Sequence, residues 1–272
     1  IYRKCFSLGL AEGKTVLCLP GANTGIGKTT AMDLARRGAK VILACRDRRR
    51  AEAAIQEIIE VMTNKYVDLD RSDVSVRSFA ENFLKSESRL DLLINNAGII
   101  SDGKTKDGFG IIFGVNHLGP FLLTLLLLDR LKASGPSRVV NVASKAYESG
   151  KVDFDFLKTH KELSLGNGNM QLITTYCHSK LCNVLFTYEL AKRLQGSNVT
   201  CYSLHPGFIN TDISRYYSRW FRLLFTPLPG IEHLSGHYFD QCSPLTNIDP
   251  KARDDATSKK LWELSESFCG LS

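Results

Sequence analysis

The sequence predicts an α/β fold, a doubly wound parallel sheet with helices on both faces, and three observations predict it. Short apolar runs at Thr15–Leu19, Lys40–Cys45, Leu90–Ile94, Arg138–Val142 and Val199–Leu204 alternate with longer stretches of helical periodicity, the pattern of crossover connections between parallel strands. The first run breaks into a glycine-rich turn, Pro20-Gly21-Ala22-Asn23-Thr24-Gly25-Ile26-Gly27, that opens straight into a helical pattern. No Pro/Gly/Ser-rich linker, repeat or low-complexity tract divides the 272 residues. A single domain over 1–272 is therefore expected, with 1–13 as an N-terminal extension.

In chain order, strand Thr15–Leu19 meets the glycine turn and a helix running through Ala39. Three glycines let the backbone bend tightly and approach a pyrophosphate, whose charge amides at a helix N-terminus can meet. The same stretch has a rival meaning. Ala22–Thr29 fits a relaxed phosphate-loop pattern, with Gly27, Lys28 and Thr29 in the nucleotide-binding places. The strict pattern has Gly where Ala22 stands and a later strand ending in a magnesium-binding Asp. Here Leu90–Ile94 ends in Asn95-Asn96, which weighs against a nucleotide hydrolase.

Strand Lys40–Cys45 ends at Arg46. Folds that take NAD place an acidic side chain there, on the ribose hydroxyls. A planar guanidinium suits a 2′-phosphate instead, so NADP(H) is favoured, with Asp47 as the counter-argument. Helix Arg48–Val61, a short strand near Tyr66-Val67 and helix Ser75–Lys85 follow. Strand Leu90–Ile94 runs into Asn95-Asn96-Ala97-Gly98. One long helix is expected over Gly108–Lys132, then strand Arg138–Val142, a helix over Thr174–Leu194, and strand Val199–Leu204 leading to His205-Pro206-Gly207. Ligands of such a sheet bind at the carboxyl ends of the strands.

The net charge of +7 permits attraction to phosphorylated ligands, nucleic acid or membrane surfaces. Apart from Arg46, Arg48, Arg49 and Arg50 the cations are scattered and do not alternate with aromatics, so nucleic acid is not an expected partner. Eight cysteines (5, 18, 45, 177, 182, 201, 242, 269) include no CxxC pair. Neither a disulfide framework nor a zinc site is indicated, no metal is expected, and reducing, intracellular surroundings fit. The longest apolar run, Phe121–Leu128, is too short to span a bilayer and should be buried helix.

Acid–base chemistry is written into Tyr176-Cys177-His178-Ser179-Lys180. On a helix, residues four apart share a face, so the Tyr176 phenol and the Lys180 ammonium lie a turn apart. A free phenol titrates near pH ~10; a cation beside it favours the phenolate and makes it a usable general acid or base. The plain alternative is a Tyr and a Lys that merely share a face.

The motifs Gly21-x-x-x-Gly25-Ile26-Gly27, Leu43-Ala44-Cys45-Arg46, Asp68-Leu69, Asn95-Asn96-Ala97-Gly98, Val115-Asn116-His117-x-Gly119, Val140-Asn141-Val142-Ala143-Ser144, Tyr176-Cys177-His178-Ser179-Lys180 and His205-Pro206-Gly207 occur in that order between about Lys14 and Leu271. The chain thereby resembles the short-chain dehydrogenase/reductase superfamily, and closely its retinol-dehydrogenase-like branch. The resemblance implies a Rossmann-type oxidoreductase that interconverts an alcohol and an aldehyde or ketone, a retinoid or other lipid carbonyl, by hydride transfer with NADP(H). It makes Tyr176 the general acid/base, Lys180 its pKa-lowering partner and a ligand of the nicotinamide ribose, Ser144 the hydrogen bond to the substrate oxygen, and Asn116 a link from Lys180 to solvent through a water. The cofactor would lie along Gly21, Asn23, Thr24, Gly25, Ile26 and Gly27. Further along it would meet Arg46, Asp68 and Leu69 at the adenosine, Asn95, Ala97 and Gly98 beyond it, and Pro206, Gly207 and Thr211 at the carboxamide. His117 and His178 become scaffold, and Cys177 and Cys182 helix packing.

Three departures from that pattern stand out. Pro20 replaces a usual Thr and offers neither hydroxyl nor N–H; Ile59–Asp68 is about five residues short; and a late helix of roughly fifteen residues is shortened or missing before Leu234. Pro20 and the missing helix motivate an alternative, a dinucleotide-binding protein with weak or no catalysis. Ile213–Leu228, rich in aromatics, suits a greasy substrate lid, a membrane-touching surface or plain core packing. Attachment to the endoplasmic-reticulum membrane is expected only through a segment absent from this chain, and the oligomeric state is left open.

Overall fold

The structure is a computed structural model that describes residues 11–18, 25–44, 48–60, 67–69, 75–158, 169–207, 232–240 and 243–271. At its centre runs β1 (Thr15–Cys18), in parallel register with β2 (Lys40–Leu43) on one side and β4 (Leu92–Asn95) on the other. β3 (Val67–Leu69) lies outside β2, and β5 (Ser137–Val142), β6 (Val199–His205) and β7 (Tyr238–Asp240) continue beyond β4, all parallel. The two-residue β8 (Ser243–Pro244) closes the edge antiparallel. The resulting order, β3-β2-β1-β4-β5-β6-β7-β8, reverses direction between β1 and β4, where doubly wound sheets open a ligand crevice.

Strand alternation builds a core on each face. Val16 and Cys18 point with Val41 and Leu43 toward α1 (Gly25–Arg36), where Ala31, Leu34 and Ala35 bury against them. Leu17 and Ile42 point the other way, into a second cluster with Phe83, Phe121, Phe186 and Trp262. α2 (Arg48–Glu60) and α3 (Val76–Ser86) complete the first half. Each large side chain fully buried in these layers contributes ~1.5–3 kcal/mol.

The expected long helix over Gly108–Lys132 is instead broken. It comprises α4 (Ile111–Phe113), a π turn (Gly114–Leu118), α5 (Gly119–Leu126) and, after a 53° bend, α6 (Leu128–Ser134). Pro120 has no N–H for the carbonyl four residues back, and its ring crowds that turn, so the ladder slips there. No single helix among the described residues is long and apolar enough to cross a membrane.

A 3₁₀ turn, Lys145–Ser149, and the short α7 (Phe154–Lys158) follow β5. α8 (Asn169–Arg193) is the longest helix and starts five residues before the expected Thr174. The sequence reading leaves β7, β8 and α9 (Asp255–Phe268) unassigned. α9 is capped by Asp254, whose side chain accepts from the Thr257 amide. The Ile59–Asp68 shortening and the late-helix gap fall largely outside the described residues; Glu232–Leu234 is a 3₁₀ turn leading into β7.

Candidate active site

The carboxyl ends of β4 and β5 and the middle of α8 converge on one point. Lys180 is only 2% exposed, and its Nζ donates to the Val142 carbonyl, the last residue of β5, at 2.9 Å. The ammonium also lies 5.4 Å from the centre of the Tyr176 ring. Two residues beyond Val142, Ser144 caps the 3₁₀ turn, its Oγ accepting from the Ala146 amide at 3.2 Å. The Ser144 hydroxyl faces the Tyr176 phenol and favours its ionised form. From β4, Gly98 approaches so closely that a Cβ there would stand 3.3 Å from Lys180 Nζ.

The charges behave differently from expectation. Burial pushes the Tyr176 phenol up from its usual value, and the nearby Ser144 hydroxyl only partly opposes it. Burial also draws Lys180 down to about 8. In this structure burial outweighs any lowering of Tyr176 by Lys180, whose ammonium donates to Val142 and, being buried, itself resists carrying charge. At neutral pH the phenol is held protonated.

Asn116 sits on the π turn, fully buried. Its Oδ1 accepts from the Ile99 amide at 2.8 Å, while Nδ2 donates to the Ile99 carbonyl at 3.1 Å and to Ser179 Oγ at 3.0 Å. Both amide hydrogens are thus engaged, so the side chain clasps the loop after β4 to α8 and keeps one acceptor lone pair for a water. The Asn95 side chain, at the end of β4 and 3% exposed, donates to Asn141 at 2.7 Å and Thr124 at 3.0 Å. Asn141 in turn donates to Thr187 of α8 at 2.8 Å, so this polar ladder ties β4, β5, α5 and α8 together beneath the site.

A shallow cleft opens at the strand ends, lined by Cys18, Ile26, Gly27, Thr30, Asn96 and Pro206 among others. Of these, Cys18, Thr30 and Asn96 were not singled out from sequence. The signal was available for Asn96, beside Asn95 in the same motif, and for Thr30, three residues after Gly27 on one helix face. Gly25, Ile26 and Gly27 form the first turn of α1. Lys28 pairs with Glu57 of α2 and is thereby diverted from the phosphate-loop role. Ala97 is buried at the end of β4, and Asp68 and Leu69 stand on β3 opposite Ile42 and Leu43. Gly207 follows Pro206 with φ +84°. Gly21, Asn23, Thr24, Arg46 and Thr211, and the departure at Pro20, lie outside the described residues.

Neither His117 nor His178, both expected as scaffold, hydrogen-bonds the phenol. His117 is buried among Phe113, Phe121 and Phe186, with Nε2 2.9 Å from Ser265 Oγ, and burial lowers it to about 4. His178 accepts from the Lys151 amide. Cys177 and Cys182 are buried free thiols whose pKa burial raises. No group of residues fit to hold a metal occurs among the described residues.

Sheet order and crevice place the molecule among the dinucleotide-binding α/β proteins. A family model for short chain dehydrogenases matches residues 15–154. The chain belongs to the short-chain dehydrogenase/reductase family, in its retinol-dehydrogenase-like branch, and is an oxidoreductase of the kind served by a nicotinamide dinucleotide. It is 45% identical over 293 residues to dehydrogenase/reductase SDR family member 13 of Bos taurus, covering 98% of this chain and 76% of that protein. With retinol dehydrogenase 12 of Homo sapiens it is 46% identical over 300 residues, covering 99% and 92%. That alignment is at least 28 positions longer than the 272-residue chain, so the relative carries residues with no counterpart here. Among solved structures, an uncharacterized protein from Mycobacterium paratuberculosis superposes with a TM-score of 0.77 at 32% identity over 97% of this chain and 96% of that one.

Proposed function

We propose that this chain is an NADP(H)-dependent oxidoreductase acting on a lipid-like aldehyde or ketone, retinal among them, with Tyr176 as the proton donor. The observation that carries the proposal is the meeting of the Tyr176 phenol, the Ser144 hydroxyl and the Lys180 ammonium at the carboxyl ends of β4 and β5. The residues around the cleft fit a dinucleotide: a glycine turn opens α1, and Gly98 leaves a space beside Lys180 that a side chain would fill. When bound, the cofactor supplies the hydride.

The chain's own residues do the rest. Amides at the start of α1, with Gly25 and Gly27, hold a pyrophosphate. Asp68, Leu69, Ala97 and Gly98 would border the adenosine half, and Pro206 and Gly207 the carboxamide end. Lys180 binds ribose hydroxyls. Ser144 donates to the substrate oxygen and stabilises charge as it develops. Tyr176, held protonated by burial, gives that oxygen its proton in the reductive direction. The clasp made by Asn116 fixes the wall of the site. The lipid character of the substrate is supported by the likeness to retinol dehydrogenase 12.

The test is purified protein with NADPH and a panel of aldehydes including retinal, followed by loss of absorbance of the reduced nicotinamide. Tight NADPH binding without oxidation by any carbonyl would leave only the binding-protein alternative. Cofactor choice has its own test at Arg46. Replacing a guanidinium that meets the 2′-phosphate removes charge-assisted hydrogen bonds worth ~1.5–3 kcal/mol. Arg46→Ala should raise KM for NADPH about tenfold to a hundredfold and leave KM for NADH nearly unchanged. An equal effect on both would remove the case for the 2′-phosphate.

A further inference from the structure

Ser144 and Tyr176 come from different elements, one from the turn after β5 and one from α8, and acting on one substrate oxygen requires the two to be held in register. Ser144 does not do this through other contacts of its Oγ, which accepts locally from Ala146. The chain that follows it is pinned to α8 at two adjacent points. At Gly150 a Cβ would stand 2.5 Å from the Cys177 carbonyl oxygen and 2.8 Å from Leu181 Cβ. The Gly150 backbone, at φ −77° and ψ 156°, is open to any residue, so proximity and not conformation demands glycine. One residue on, the Lys151 amide donates to His178 Nδ1 at 3.0 Å. Both pins fall on α8 just after Tyr176.

We infer that His178 is a positioning residue, whose unprotonated Nδ1 latches the Ser144–Lys151 segment to α8 and thereby sets the Ser144–Tyr176 spacing. The inference rests on the reading of those two residues as partners in proton transfer. An acceptor at Nδ1 places the proton of the neutral ring on Nε2. Protonation turns Nδ1 into a donor facing another donor, and the latch opens. Burial is the largest influence on the ring, with Lys151 opposing protonation and Asp153 favouring it; the balance lies below the usual 6.5. The latch is therefore closed at neutral pH and opens only in acid.

The test is reductive turnover of the full chain between about pH 5 and 8 for the wild type, His178→Asn and His178→Leu, with Tyr176→Phe as the reference. Asn offers a non-titrating acceptor near the position of Nδ1. Wild-type kcat should fall on the acid side, whereas His178→Asn keeps most of the neutral-pH kcat and loses that fall. His178→Leu should lower kcat at neutral pH by about tenfold to a hundredfold, the scale of small misplacements of reacting groups, with KM for NADPH unchanged. Gly150→Ala, which wedges the same contact apart, should lower kcat in the same way. Wild-type kcat in His178→Leu, or the same acid limb in His178→Asn as in the wild type, overturns the latch. If Tyr176→Phe turns over normally, the proton-transfer reading fails and the latch with it; an inactive Tyr176→Phe beside an undisturbed His178→Leu overturns the latch alone.

Discussion

Tyr176→Phe should lower carbonyl reduction by about 10²–10⁴-fold, the usual worth of a positioned general acid, while NADPH affinity and thermal stability change little. The ring on α8 fills the same space, and what leaves is one hydroxyl that faces Ser144. Its buried setting sharpens the expectation. A phenol pushed above its ordinary range stays protonated through neutral pH, so loss of this proton does not limit reductive turnover there, and a decline near pH 8 belongs to Lys180, which burial draws down to about 8. The reverse oxidation needs the phenolate and should climb as pH rises. Steady-state rates in both directions across pH, with cofactor affinity followed by nicotinamide fluorescence, measure this. Unchanged turnover in Tyr176→Phe would sink the mechanism.

Much of this site is legible in the sequence because it depends on short-range spacing. Tyr176 and Lys180 share a helix face wherever the helix begins, and strands of alternating burial arrange the sheet whatever their exact ends. Features set by three-dimensional neighbours are less legible. Asn95 reads as a cofactor residue from its motif, yet strand alternation turns its side chain toward Asn141 and Thr124. The break in the helix around Asn116 is hidden in a run of apolar residues whose periodicity survives a π turn; Pro120 is the local clue. The direction of the Tyr176 shift depends on how deeply both partners are buried, which no spacing encodes. His178 reads as scaffold, and only the pairing with Lys151, 27 residues away, shows what that scaffold holds.

Lys180→Met carries the other large effect, and it should separate stability from activity. In the folded protein Lys180 titrates near 8 instead of 10.5 because burial disfavours its charge. Below pH 8 both folded and unfolded chains hold the proton, and the burial penalty is fully present. Between 8 and 10.5 the unfolded chain binds more protons, so stability rises with pH. Above 10.5 the penalty is gone. A shift of that size corresponds to roughly 3 kcal/mol. Against it, methionine leaves the Val142 carbonyl without the donor it now has at 2.9 Å, a loss of ~1–3 kcal/mol. The variant should therefore be as stable as the wild type at pH 7, or up to ~2 kcal/mol more stable, and should lack the alkaline rise attributable to Lys180. Turnover should nevertheless fall by about 10²–10³-fold, the scale seen when a preorganised electrostatic group is removed from a site. Urea melts at pH 7 and 10 beside NADPH oxidation rates give both readings. A variant markedly less stable at pH 7, with the wild-type dependence on pH, would mean that the ammonium holds the strand ends together and is not a charge kept there for the reaction.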